Sequence, residues 1–332
     1  MNSIRASLAS LCLLGLILLG SSSPAHGASD PLTSLGFELA AASVQNKVPA
    51  TVDPPASEWG SWAWTIHSFS YSNSPCFAYR YDLTLPLAKC QYGEVGAAKT
   101  LVLIGDSQAF QWLPAFDAWG IANHWKVVVL TKAGCHPWPS PDYTYDEHKS
   151  DGVATTKYPQ CPQFNAWAKA KVLKLKPQAI VVGGGIGTLT SLNAEHAIGI
   201  VQGMQRLVGS FAMLKAPVIM LGNIPWFIED SPSPNCLALN LAKATNCAMN
   251  RTQMTNPSRP LMAEMSKAIS MMVKGKVLPI VPVVNLVCGK AKCPTISNST
   301  VIYYDGTHVS RQWVTHIADA LGLLLQPYLP AA

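Results

Sequence analysis

The sequence predicts an α/β protein of three layers, with helices on both faces of a mostly parallel sheet. Three observations predict it. From residue 99 onward, short apolar runs of strand length alternate with longer stretches of helical length. The short runs are apolar at successive positions, as in strands buried on both faces. Each run is separated from the next by a helical stretch, the crossover that parallel strands require.

The elements follow in order. Residues 1–27 read as an export signal: Arg5 is the positive end, LASLCLLGLILLG at 8–20 is the apolar core, and Ala25 and Gly27 offer small residues for cleavage. That core is shorter than the ~20 residues that span a bilayer; left uncleaved, it would be an anchor. Residues 28–98 are rich in Pro, Gly, Ser and aromatics, with helical character only at 34–46. They read as an irregular covering segment before a main domain at 99–332. There LVLIGDS (101–107) opens with a strand and AFQWLPAFDAWGIAN (109–123) is a helix. KVVVLTKAG (126–134) is a strand, CPQFNAWAKAKVLKL (161–175) a helix and QAIVVGGG (178–185) a strand. A helix at 193–214, a strand at 217–225, a helix at 259–275, a strand at 277–288 and a helix at 310–325 complete the series. Segments 136–160 and 225–258 lack periodicity and read as long loops, which in compact domains are often functional.

The composition is 49% apolar and 13% charged, that of a globular chain. The net charge of +6 is spread along the sequence without a basic block, so nucleic-acid binding has no support. Of nine cysteines, Cys12 lies in the signal. The remaining even number in an exported chain argues for disulfides. Pairing sequence neighbours joins Cys76–Cys90, Cys135–Cys161, Cys236–Cys247 and Cys288–Cys293, each bridge contributing roughly 2–4 kcal/mol. With no CxxC, no HExxH and no cysteine pair with a spaced His, no metal site is expected.

Ser107 carries the chemistry. It follows a buried strand and a turn glycine, Gly105, and stands where a helix begins, so it is reachable and near a helix N-terminus. About two hundred residues later, YYDGTHVS places Asp305 and His308 three apart in the loop before the last helix. That spacing lets the carboxylate hold one imidazole nitrogen while the other faces a serine oxygen, the parts of a Ser-His-Asp acyl-transfer site. Ligands of open α/β sheets bind outside the carboxyl ends of the strands, an edge both motifs can share. Asp106 is read as stabilising the turn. Gly184 and Gly185, in a glycine run without the Lys of a phosphate loop, are read as a close backbone approach near the site. Asn223, past a strand end in LGNIP, is a candidate for substrate contact, and His136 and Trp138 for the pocket wall. Trp59, Trp62 and Trp64 are read as buried cover, with sugar stacking as the alternative.

GDS, then paired cysteines, then DxxH resembles the SGNH-hydrolase or GDSL-like superfamily, and most of all the SGNH domains attached to membrane acyltransferase-3 proteins that O-acylate bacterial surface glycans. The resembling features run from CQYG at Cys90 through LTKAGCHPW, LGNIPW and NLVCGKAKC to the end of the chain. The resemblance implies a flavodoxin-like α/β/α fold with Ser107 as nucleophile, His308 as base and Asp305 as its orienting partner. Gly134 is the candidate for the family's oxyanion glycine. The family's Asn position reads GGGIGT, and Gln108 stands where His commonly follows the serine.

The reading is a secreted or periplasmic enzyme that needs no cofactor. It transfers O-acetyl groups to an acyl-accepting carbohydrate of the cell envelope, a glycan or glycolipid. The alternatives are hydrolysis of the same esters and a non-catalytic carbohydrate-binding protein on this fold. The resemblance also implies a partner, a separate membrane acyltransferase-3 protein.

Overall fold

The computed structural model describes residues 30–59, 68–139, 144–149, 152–185, 194–224, 233–251 and 279–330. The expected export signal, Trp62, Trp64 and the helix at 259–275 lie outside the described residues.

A seven-stranded sheet organises the chain. Its central strands are β3 (Lys99–Gly105), β4 (Trp125–Lys132), β7 (Ala179–Gly183) and β8 (Val218–Leu221). Two short strands precede them, β1 (Phe77–Ala78) and β2 (Gln91–Gly93), and β10 (Ile280–Val281) closes one edge. The order is β1-β4-β3-β7-β8-β10, parallel throughout, with β2 alone running antiparallel on β4. β5 (Thr144–Lys149) and β6 (Gly152–Lys157) form an antiparallel hairpin outside the sheet. Four further two-residue strands pair in small ribbons: β11 (Lys292–Cys293) with β9 (Met249–Asn250), and β12 (Ile296–Ser297) with β13 (Thr300–Val301).

Helices form the outer layers. Among the described residues they are α1 (Pro31–Ala42), α2 (Ser107–Phe110), α3 (Leu113–Ala122), α4 (Gln160–Leu175), α5 (Ala194–Ser210), α6 (Ser233–Leu239), α7 (Arg311–His316) and α8 (Ala318–Leu325). Successive strand residues point to opposite faces. Leu101, Leu103, Val127, Val129 and Val181 therefore join one core with α1, α2, α3, α7 and α8. Val102, Ile104, Val128, Leu130, Ile180 and Val182 join a second core with α4 and α5. Burial on both faces explains why these strands are apolar at every position.

The structure departs from the sequence expectations in several places, among them 225–258, expected as a loop, whose described residues carry α6 and β9. The segment 28–98 also supplies β1 and β2, which cover the free edge of β4 in two pieces. The Cys76–Cys90 disulfide ties them together, each cysteine standing just before its strand. The stretch 136–160, expected as a loop, carries the β5–β6 hairpin. Of the strand expected at 277–288, the described residues form Ile280–Val281, flanked by Pro279 and Pro282, which supply no N–H to a ladder; a single 3₁₀ turn, Val283–Leu286, follows. The closing helix breaks at Ile317 into α7 and α8. The chain contains four disulfides, Cys76–Cys90, Cys135–Cys161, Cys236–Cys247 and Cys288–Cys293, the same neighbour pairs named from the sequence. Among the described residues no helix is long and apolar enough to cross a membrane.

Candidate active site

β3 delivers Ser107 to the carboxyl edge of the sheet. Gly105 ends the strand against β7 so closely that a Cβ there would lie 1.8 Å from the Gly183 carbonyl oxygen; only glycine fits. Asp106 then caps α2: its Oδ1 accepts the Gln108 N–H at 2.8 Å, and its Oδ2 accepts the Gly185 N–H at 2.7 Å. Burial pushes the Asp106 carboxyl above its ordinary value, and the two N–H bonds pull against it. Ser107 follows as the first residue of α2, half-buried and reachable.

The partner loop arrives from the other end of the chain. β13 and α7 hold it, with Ser310 capping α7 by accepting the Trp313 N–H at 3.2 Å. Asp305 folds the loop around itself, its Oδ1 accepting the backbone N–H groups of Thr307 at 2.7 Å and His308 at 2.8 Å. The His308 imidazole lies between two partners: Nδ1 is 2.9 Å from Asp305 Oδ2, and Nε2 is 2.9 Å from Ser107 Oγ. Burial opposes ionisation of Asp305. The adjacent His308 and the hydrogen bonds from His308 and Thr307 outweigh it and leave the carboxyl below its usual value. Phe69 packs edge-on against the imidazole at 4.9 Å between ring centres and limits its water contact; the His308 side chain is 16% exposed.

Gln108 and Gln111, which the sequence reading did not assign, lock the two halves together. Gln108 Nε2 donates to the Thr307 carbonyl at 2.8 Å. Gln111 Nε2 donates to Gln108 Oε1 at 2.9 Å, and Gln111 Oε1 accepts the Val309 N–H at 2.8 Å. Both side chains are buried. The signal in the sequence was two glutamines three apart on the first turns after the serine, amid otherwise apolar residues.

The remaining candidates divide. Gly134 has φ +58 in the turn after β4, one strand from Ser107 and exposed. Gly184 packs against the Trp138 ring, where a Cβ would approach to 2.4 Å. The Gly185 N–H is committed to Asp106: the glycine run approaches the serine turn from the next strand and shapes it. Asn223 follows β8 at the same carboxyl edge, two strands from β3. Trp138 is almost fully buried in the second core and stacks on His136, whose imidazole burial pushes down to about 4, so it stays neutral. Trp59 is part of a small packed cluster, its indole N–H donating to the Pro54 carbonyl. Among the described residues no group of three or more His, Cys, Asp and Glu is placed to hold a metal ion.

The geometry can polarise a serine hydroxyl through an imidazole that a carboxylate orients. The profile of the SGNH domain family (fused to AT3 domains) matches residues 75–322. No curated protein sequence matches the chain. Among solved structures, the periplasmic domain of a lipopolysaccharide acetyltransferase from Salmonella ser. Paratyphi A is similar over 76% of this chain and 92% of its own, at 10% identity and a TM-score of 0.53. That likeness concerns the fold. A GDSL-like lipase from Bacteroides thetaiotaomicron aligns over 69% of this chain and 89% of its own, at 15% identity and a TM-score of 0.39. A catalytic mutant of an acetylxylan esterase from Geobacillus stearothermophilus aligns over 72% of this chain and all of its own, at 14% identity and a TM-score of 0.39.

Proposed function

The chain belongs to the SGNH domain family described as fused to AT3 domains, and we propose that it is a serine-dependent acyl-ester enzyme that transfers O-acetyl groups onto cell-envelope glycan or glycolipid. One observation carries the reading: the Ser107 hydroxyl, the His308 imidazole and the Asp305 carboxylate form an unbroken hydrogen-bonded line.

Ser107 Oγ attacks the ester carbonyl carbon as His308 Nε2 takes its proton. Asp305 holds the Nδ1–H tautomer and stabilises the imidazolium that forms. The oxyanion is met by the Ser107 backbone N–H, with the exposed Gly134 amide as the second donor proposed; one such donor is worth roughly 2.7–4 kcal/mol. The tetrahedral intermediate collapses, the ester C–O bond breaks, and His308 returns the proton to the leaving alcohol. In the second half a sugar hydroxyl gives its proton to His308 and attacks the acyl-serine, restoring Ser107. Asn223 would contact that sugar in this reading. With water as acceptor the same steps are ester hydrolysis.

Transfer is favoured by the family description and by the acetyltransferase domain that shares the fold. Four disulfides fit an oxidising compartment outside the cytoplasm, where a cleaved export signal would deliver the protein. The acyl donor would then come from a membrane acyltransferase-3 protein. The test is twofold. A fluorophosphonate should label Ser107 in the mature protein. Envelope glycan fragments should divert acetyl groups from acetate into a sugar ester, counted by mass spectrometry in one tube. Acetate as the sole product across a broad glycan panel would make the protein an esterase. A protein that neither labels nor turns over acetyl esters would be a binding protein.

A further inference from the structure

We propose that the loop Tyr79–Asp82 is an oligosaccharide-binding platform beside the catalytic edge, holding sugar units beyond the one that reacts. It rests on the acyl-ester reading for its place in a reaction, but its own evidence is separate.

The loop leaves the carboxyl end of β1, in register with the ends of β4 and β3: Ala78 pairs with Lys132, and Gly105 with Thr131. At about 4.8 Å per strand, it lies about 10 Å along the edge from the strand that carries Ser107. A row of ring contacts runs the same way. From His308 it passes to Phe69 at 4.9 Å, from Phe69 to Phe77 at 6.0 Å, and from Phe77 to Tyr79 at 5.5 Å. Tyr79 is where this row reaches water.

The loop is built to be rigid. Lys132 is fully buried, and its ammonium donates to the carbonyls of Tyr79, Arg80 and Asp82, which uses all three of its N–H bonds. Burying an ammonium is costly unless it is satisfied in this way. The Tyr158 and Phe164 rings lie beside the same ammonium, with centres 5.2 and 5.6 Å away. From above, Asp82 Oδ2 accepts the Tyr79 N–H at 2.8 Å. A charge is thus sequestered under the four residues of the loop.

The two tyrosine rings, and Leu83 just after them, are left in water. Tyr79 is 55% exposed, Tyr81 73% and Leu83 42%, and the Arg80 guanidinium lies 5.4 Å from the Tyr81 ring centre. Single exposed apolar residues need no explanation, but three in five positions on a clamped loop at the site edge do. Tyr rings offer a flat apolar face and a hydroxyl at low conformational cost. A pyranose presents the complement, a patch of C–H groups ringed by hydroxyls. The distance from Ser107 suits a chain of sugars with one unit at the serine.

The experiment uses the mature protein, wild type and with Tyr79→Ala/Tyr81→Ala, Tyr81→Ala and Tyr81→Phe. Binding to cello-, malto-, chito- and mannopentaose is measured by NMR titration; fluorophosphonate labelling and p-nitrophenyl acetate hydrolysis are measured alongside. The double variant should weaken the best pentaose about tenfold, Tyr81→Phe should retain affinity, and the small-ester rate should stay within about twofold. Equal binding by the double variant, or no pentaose binding by wild type, overturns the platform. An equal fall in the small-ester rate also overturns it, since the loop would then be supporting the serine site. Failure of Ser107 to label would sink the acyl-enzyme reading and leave the ring-dependent binding to be judged on its own.

Discussion

Gln108 Nε2 donates to the Thr307 carbonyl at 2.8 Å, joining residues 199 apart in the chain and fixing the loop of His308 to the helix of Ser107. The pair stands immediately beside the two groups that must meet, each one residue along. Gln111 extends the tie to the Val309 N–H. Gln108 is therefore a positioning residue, and its loss should be felt in the rate of acylation. Gln108→Ala should slow fluorophosphonate labelling by about a hundredfold, the cost of roughly an ångström of misplacement, while KM for a small ester changes little. Gln108→Glu should be no better, because a carboxylate cannot donate to Thr307. A Gln108→Ala protein that unfolds at a lower temperature but labels at the wild-type rate would reduce the residue to a packing role.

Removing the hydroxyl should be far more severe. Ser107→Ala and His308→Ala should each lower small-ester hydrolysis by about 10³-fold or more, and the double variant should lose little beyond either single one, because the two act as a unit. Additive losses measured by kcat would mean that the 2.9 Å contact is not the catalytic one.

How much of this was legible follows from the range of each interaction. The strand LVLI and the serine after it could be read because both are local: an apolar run, a turn glycine, a helix start. Asp305 and His308 could be read because a three-residue spacing is itself a geometry. The cysteine partners are near neighbours, 5 to 26 residues apart. β1 and β2 could not be read, since strands of two and three residues carry no period; their pairing with β4 and the Cys76–Cys90 bridge define them. The Gln108–Thr307 tie and the Gly185–Asp106 bond were hidden because nothing local marks a contact between distant segments. Lys132 was hidden for another reason, that a lysine at a strand end is ordinarily a solvated one.

Asp106 should be a stability residue. It is buried and accepts one N–H from its own helix and one from the neighbouring strand's loop. Asp106→Ala would leave both donors without their acceptor, at about 1–3 kcal/mol for each that finds no substitute. A shift of the denaturant midpoint to lower concentration with an unchanged slope would show this. An unchanged midpoint would mean that water replaces the carboxylate at both amides.

Asp305 allows a prediction in acid. Its carboxyl ionises below the usual 3.8, because the pairing with His308 and the hydrogen bonds from His308 and Thr307 outweigh the burial that opposes them. A carboxyl whose folded value lies below its unfolded value adds stability above the unfolded value and loses it as pH falls through the folded one. Asp305→Asn removes that titration. The gap in Tm between wild type and Asp305→Asn should therefore hold from about pH 5 down to about pH 4 and close as pH is lowered further, once the wild-type carboxyl is protonated. Thermal unfolding followed at small pH steps across this range checks it. A gap that stays open through the whole acid limb would mean that the two proteins differ by the shape of the loop rather than by the charge on Asp305, and Asp305 would then serve His308 as a hydrogen-bond acceptor alone.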